Sequence, residues 1–320
     1  MNRSTHTIDF AAIEQAAARI APYAHVTPVM HSSTLDELAG CRMAFKCENF
    51  QRVGAFKFRG ACNAVWALSD ADAARGVVTH SSGNHGAALA LAARTRNIPA
   101  HVVVPEGAVA SKVAAIKAYG ASVHICAATL AAREAAAHDV MQTTGATLVH
   151  PFTDVNVIAG QATAALELIR EAGPLETLIA PVGGGGLIGG SAIAARALLP
   201  NIELFAAEPE GAADAYESLR RNERVVDIVP NTICDGLRAA IGPINFDLLR
   251  GHAVAVLKVS DAETIAAMRL ILERMKILVE PSSATVLAAV LRYREYFAGR
   301  SVGIVLTGGN VDLERLPWTP

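Results

Sequence analysis

Four glycines in succession, Gly183, Gly184, Gly185 and Gly186, follow the apolar run LIAPV and precede the helical stretch LIGGSAIAARALL. Glycine lets successive backbone N–H groups turn toward one point, and a helix N-terminus adds a partial positive charge. Such a loop can cradle a phosphate group. The same segment has a rival reading. Gly184-x-Gly186-x-x-Gly189 fits the dinucleotide-binding pattern, and Glu208 follows Gly189 by 19 residues, a spacing that suits an acid holding a ribose. Lys57 stands between Phe56 and Phe58 just before a helical stretch. A lysine so placed is either an amphipathic stem with its amine in water or a desolvated amine able to form a Schiff base with an aldehyde. Ser81-Ser82-Gly83-Asn84-His85-Gly86 follows the run VVTH and opens another helix. Its hydroxyls and exposed N–H groups suit a carboxylate, although Ser82 or Asn84 could simply cap the helix. Thr307-Gly308-Gly309-Asn310 closes the run GIVL, where a threonine hydroxyl could meet a ring nitrogen or the glycines could merely turn the chain.

These residues sit where an alternating pattern of elements would place them. Short β-rich runs are predicted over residues 43–47, 76–79, 101–104, 122–126, 147–149, 178–182, 203–207, 254–259 and 301–306. Alanine-rich helices are predicted over 58–68, 85–96, 111–119, 130–143, 158–171, 187–198, 262–276 and 284–297. Alternation of this kind implies α/β architecture, with mostly parallel sheets flanked by helices and ligands bound beyond the carboxyl ends of the strands. No repeat of 20 to 50 residues points to a solenoid. The 320 residues suffice for two modest domains, and 52% hydrophobic with 18% charged residues describes an ordinary globular core. A net charge of -2 with no basic stripe argues against a nucleic-acid partner. Apolar stretches break off before bilayer length, which argues against a membrane partner. The N-terminal MNRSTHTIDF lacks the apolar segment of a secretion signal, so a cytoplasmic location is expected. Five cysteines with no C-x-x-C pair make a disulfide or zinc framework unexpected.

The chain resembles the fold-type II pyridoxal-phosphate enzymes, which are tryptophan synthase beta-like, and within them the serine/threonine dehydratase and serine racemase group. The resemblance runs from about Ile13 to Asp312. It rests on ordered motifs: CENFQRVGAFKFRGA, VVTHSSGNHGAALA, HVVVPEGAVASKVAAIKAYGA, VIAGQATAALEL, PVGGGGLIGG, FAAEPEGAADAY, ERMKILVEPSSA and VLTGGNVD. It turns the rivalry over the glycine loop toward a cofactor phosphate. It implies pyridoxal 5'-phosphate joined to Lys57, with Phe56 packed near the ring and Asn84 on the 3-hydroxyl. Gly183, Gly184, Gly185 and Gly186 would hold the phosphate, and Thr307 would face the pyridine nitrogen. Ser81, Ser82, Gly83 and His85 match the loop that holds the substrate carboxylate. Ser82 also matches the serine opposite the lysine in serine racemases. Glu208 and Asp214, with the carbonyl of Ala212, resemble a Mg²⁺ or Ca²⁺ site, a donor set that suits hard cations.

The resemblance further implies a homodimer acting on a small-molecule hydroxy-amino acid. Residues 1–52 and 153–320 would form a large cofactor-binding domain and 53–152 a small mobile one, with the cofactor in the cleft between them. The first expectation is a dehydratase, an ammonia-lyase that converts L-threonine or L-serine to a 2-oxo acid and ammonia, with Lys57 as the base at Cα. Arg133, on a helix where relatives read a second carboxylate, keeps L-threo-3-hydroxyaspartate open; a helical arginine is also often a solvated charge. Serine racemisation is a further alternative, set back by Ala239 standing where racemases carry a serine. The chain stops about ten residues after TGGN, so isoleucine feedback through a regulatory domain is not expected. A cofactor-binding protein without chemistry is the remaining alternative.

Overall fold

A computed structural model of the chain describes residues 8–108 and 110–318. They divide into two compact units. One takes the chain up to His25 together with Lys57–Gln161; the other takes Val26–Phe56 and the chain from Ala162 onward. Among the described residues the strands are β1 (Val29–Met30), β2 (Arg42–Cys47), β3 (Val77–His80), β4 (Ala100–Pro105), β5 (Ser122–Cys126), β6 (Thr147–Leu148), β7 (Thr177–Pro181), β8 (Glu203–Pro209), β9 (Ala255–Val259) and β10 (Ser301–Leu306).

The larger unit carries one sheet in the order β1-β2-β10-β7-β8-β9. Only the β1–β2 pair is antiparallel; β2–β10, β10–β7, β7–β8 and β8–β9 are parallel. β7 is buried along its whole length and β10 along all but its first residue, as expected of a parallel sheet covered on both faces. Phe45, Ile179, Phe205, Val302 and Ile304 from the sheet join Leu287, Val290 and Phe297 from a flanking helical segment in a single core cluster. The smaller unit carries a second, wholly parallel sheet in the order β5-β4-β3-β6. Helix Leu130–Thr144, capped by the Thr129 hydroxyl and closed by Gly145 in the left-handed region, packs Ala137 and Val140 against Val78 and Val103.

The α/β architecture and all nine expected strands are present. The two-residue β1 escaped sequence reading because it is too short for a periodic signal. The single helix expected over 284–297 is two helices, Pro281–Arg292 and Arg294–Phe297. At Tyr293 the backbone leaves the helical region, and its hydroxyl donates to the Lys258 carbonyl at 3.1 Å. Helices Asp214–Arg221 and Pro243–Gly251 were not anticipated either. The first is strongly polar, and its sequence carries little of the apolar spacing that announces a packed helix.

Candidate functional site

In the larger unit the residues singled out by sequence lie along one edge of the sheet. β10, β7 and β8 are neighbours, and their carboxyl ends lead into Thr307, the glycine loop and Glu208. Residues 183–186 are all buried. Helix Gly186–Leu198 begins at the last of them. Among the described residues, the backbone N–H groups of Gly183, Gly184 and Gly185 find no backbone acceptor. Buried N–H groups are ordinarily paired, so three consecutive exceptions at a helix N-terminus await an anion. The glycines are needed for space as well. A Cβ on Gly183 would stand 3.0 Å from the Leu237 Cα. A Cβ on Gly185, whose φ is +88°, would stand 2.7 Å from the Asn245 Cβ. The donor set therefore fits the phosphate of pyridoxal phosphate.

Thr307 is buried, and its carbonyl accepts from the Phe56 N–H at 2.9 Å. Lys57 is the next residue along the chain. Gly308 pairs with Ala55 through an isolated bridge. Its carbonyl also accepts from the Glu280 N–H at 2.9 Å, and a Cβ on Gly308 would lie 3.0 Å from the Glu280 Oε1.

Two further acids are buried in this unit. Glu208 accepts the N–H groups of Ala215 at 2.8 Å and Tyr216 at 2.9 Å, and Asp214 Oδ2 accepts that of Ile241 at 2.7 Å. Burial, and then the charge of Asp214, pushes the Glu208 carboxyl up to about 8; burial pushes Asp214 up to about 6. Ala212 is buried in the turn just before Asp214. Two desolvated carboxylates and a nearby backbone segment are the donor chemistry of a hard cation. Among the described residues no group of three or more His, Cys, Asp or Glu side chains gathers for a metal.

The smaller unit holds Lys57 and a group of histidines. β3 and β6 are neighbours, so the loops after them come together. Lys57 opens helix Lys57–Ala67, and its Nζ donates to the Pro151 carbonyl at 3.1 Å. His85 Nε2 lies 3.2 Å from the Val149 carbonyl, and its Nδ1 is buried with no partner. His150 Nδ1 accepts from the N–H groups of Phe152 at 3.4 Å and Thr153 at 3.2 Å. The His80 and His150 rings meet edge to face at 5.3 Å. Burial, then the charge of Lys57, holds the His85 pKa well below its usual value. Burial, then His80 and Lys57, lowers His150 to about 4. These imidazoles are neutral, so the lysine has no cationic histidine beside it.

Ser81, Ser82 and Gly83 lead into helix Asn84–Arg96, with the Ser81 hydroxyl accepting the Gly83 N–H at 3.4 Å. A Cβ on Gly83 would meet nothing within 4 Å, whereas one on Gly86 would lie 2.3 Å from the Ser81 carbonyl oxygen. The close approach at Gly86 brings the loop over the helix N-terminus. Arg133 is half-exposed, with its Nε 3.4 Å from the Thr129 carbonyl on its own helix, and its charge lowers the His80 pKa after burial does.

Lys57, the loop 81–85 and Arg133 thus fall in the smaller unit. Phe56, the glycine loop, Thr307, Glu208, Ala212 and Asp214 fall in the larger. Sequence reasoning passed over His80, His150 and the Pro151 carbonyl. The segment VHPFTD ends a strand just as THSSGN does, and that shared position was the available signal.

A family described as pyridoxal-phosphate dependent enzyme matches residues 20–308. A serine racemase of Dictyostelium discoideum is 47% identical over 97% of this chain and 97% of its own. A beta-hydroxyaspartate dehydratase of Paracoccus denitrificans is 45% identical over 95% of this chain and 96% of its own. The crystal structure of a threonine deaminase from T.th. superposes with a TM-score of 0.91 at 39% identity, covering 98% of this chain and 100% of that one.

Proposed function

Because the chain belongs to the pyridoxal-phosphate-dependent enzyme family, we propose that it eliminates water from a small 3-hydroxy-amino acid to give an enamine, whose imine tautomer takes up water and releases ammonia, leaving a 2-oxo acid. The observation that carries the reading is Lys57, its amine on the Pro151 carbonyl and its neighbours the neutral His85 and His150. When bound, pyridoxal phosphate supplies an aldehyde that captures amines and a ring that takes up electron density from Cα. Lys57 anchors that aldehyde and, once released, takes the Cα proton as general base. The Ser81 and Ser82 hydroxyls and the N–H groups of Ser82 and Gly83, with His85 behind them, hold the substrate carboxylate. Phe56, Asn84 and Thr307 fix the ring, and Gly183, Gly184, Gly185 and Gly186 bind the phosphate. Neutral Thr307 donates no full charge to the ring nitrogen, which favours prompt loss of the β-hydroxyl. Glu208, Asp214 and the Ala212 carbonyl take Mg²⁺ or Ca²⁺, which relieves the repulsion between two buried carboxylates and stabilises the fold rather than taking part in the chemistry.

L-Serine and L-threonine are the first substrates proposed. L-threo-3-hydroxyaspartate is a second reading, favoured by Arg133, whose charge is felt at His80 immediately before the carboxylate loop. Ser82 would supply the opposite-face proton for some serine racemisation. The test is kcat/KM for serine, threonine and 3-hydroxyaspartate, with chiral analysis of residual serine, on the wild type and on Arg133→Ala. Release of 2-oxo acid from serine or threonine, with Arg133→Ala losing about equally on all three, is expected. A selective loss on 3-hydroxyaspartate of about 10-fold or more replaces the first reading by the second, because a charged partner left unpaired discriminates strongly. No 2-oxo acid from any of the three sinks both and leaves a cofactor-binding protein.

A further inference from the structure

Asn245 is fully buried on helix Pro243–Gly251. A buried asparagine side chain is costly unless its hydrogen bonds are made, and a leucine would serve a plain helix contact better. Its Nδ2 donates to the Gly184 carbonyl at 2.6 Å, and the Gly242 N–H donates to the same oxygen at 3.1 Å. Two donors from one helix N-terminus therefore fix the direction of a single carbonyl in the glycine loop. The carbonyl and N–H of a trans peptide point in opposite directions. Pinning the Gly184 C=O toward Asn245 thus turns the Gly185 N–H away from it. Gly185 holds the left-handed φ of +88° that this peptide orientation requires, with the Asn245 Cβ filling the space where a side chain would begin. On its other side the loop rests on Gly236 and Leu237, and the Gly236 N–H is held by the Ser282 hydroxyl at 3.0 Å.

We propose that Asn245 is a positioning residue for the cofactor's phosphate: through the Gly184 carbonyl it orients the Gly184–Gly185 peptide so that the loop's N–H groups converge on the anion. The proposal rests on the reading of residues 183–186 as the phosphate site. Asn245 itself stays behind the loop and donates nothing to the cofactor.

The experiment is equilibrium titration of the apoenzyme, followed by cofactor absorbance, with pyridoxal phosphate and with pyridoxal, which keeps the aldehyde for Lys57 and lacks the phosphate. Asn245→Asp keeps the shape and puts an acceptor against the Gly184 carbonyl; Asn245→Ser keeps a shorter donor. Asn245→Asp is expected to weaken pyridoxal phosphate about 30-fold or more, and Asn245→Ser about 5-fold, as for a buried carbonyl losing its donor. Pyridoxal affinity and the apoenzyme Tm are expected to stay within about 2-fold and about 3 °C of wild type for the Ser variant. Equal weakening of both ligands makes Asn245 a general packing residue and overturns the proposal; so does an unchanged affinity for pyridoxal phosphate in both variants. A wild-type chain that prefers pyridoxal phosphate no more than pyridoxal overturns the phosphate assignment and the proposal with it.

Discussion

The two units bury polar groups of opposite kinds. Around Lys57 the smaller one places imidazoles that burial keeps neutral. Around the glycine loop the larger one offers backbone N–H groups and, at and beyond the end of the neighbouring strand β8, two carboxyls that burial pushes toward protonation. The first group surrounds the lysine that moves the proton in the proposed reaction. The second would grip the cofactor's phosphate with groups that do not titrate, and in the proposed function its own acids would take a cation. The lesson is a division of labour: side chains for chemistry, main chain for hold.

If that division is right, the two halves fail differently when cut. Lys57→Ala is expected to lower turnover by at least about 10³-fold and to remove the visible absorbance of the lysine-bound cofactor, as loss of an anchoring base should. Pyridoxal phosphate should still associate through the loop, measurable by equilibrium dialysis. Retained turnover in that variant would end the assignment of Lys57. Gly185→Ala is expected to do the reverse. A Cβ at φ +88°, 2.7 Å from the Asn245 Cβ, should weaken the cofactor about 10- to 100-fold. The residual kcat at saturating cofactor should approach wild type. Equal damage to kcat in the two variants erases the contrast.

The smallest effect sharpens it by pH. His150, at about 4 in the folded chain, binds protons more readily when unfolded, where its value is 6.5. Its contribution is present above that unfolded value and is lost as pH falls toward about 4. His85 shifts the same way, with Lys57, His150 and His80 as the charged or titratable groups acting on it. Glu208 and Asp214 run opposite. Their raised values make the folded state the better proton binder, so stability declines as pH rises from their ordinary values of 4.5 and 3.8 toward about 8 and about 6. With Mg²⁺ or Ca²⁺ bound the acids are held ionised, and that alkaline decline should flatten. Amide hydrogen exchange should show residues 147–153 opening on the acid side. Residues 208–216 should open on the alkaline side, and only under EDTA. Identical profiles with EDTA and with cation, and an unchanged Tm, would remove the cation site.

How much of this was legible in the sequence follows the same line. Strands rich in Val and Ile ending in glycine or serine clusters gave themselves away, because burial on both faces leaves an apolar run with a polar stop. The glycine loop was legible because four successive glycines stand out in a sequence, and the fold uses the absence of a side chain at Gly183 and Gly185. The groups that act through the main chain were not. The Pro151 carbonyl beside Lys57 and the Gly184 carbonyl beside Asn245 are chemically the same as every other carbonyl, and only the fold selects them. His150 was invisible for a related reason. Its task is to accept two N–H bonds in its own loop, and a histidine after a strand announces no such role. Helix Pro243–Gly251 is only nine residues long, so its buried asparagine had no context until the helix was placed.

The register of β2 bears on how the chain is made. Arg42 to Cys47 pair residue for residue with Ser301 to Leu306, while the whole smaller sheet lies in sequence between them. During synthesis the smaller sheet has all its strands long before β10 leaves the ribosome. β2, paired only with the two-residue β1, must meanwhile wait with its other edge open. Parallel pairing across such a separation is slow, and a waiting edge invites other chains. The stretch RMAFKC is therefore where a chaperone's protection would matter most for this protein.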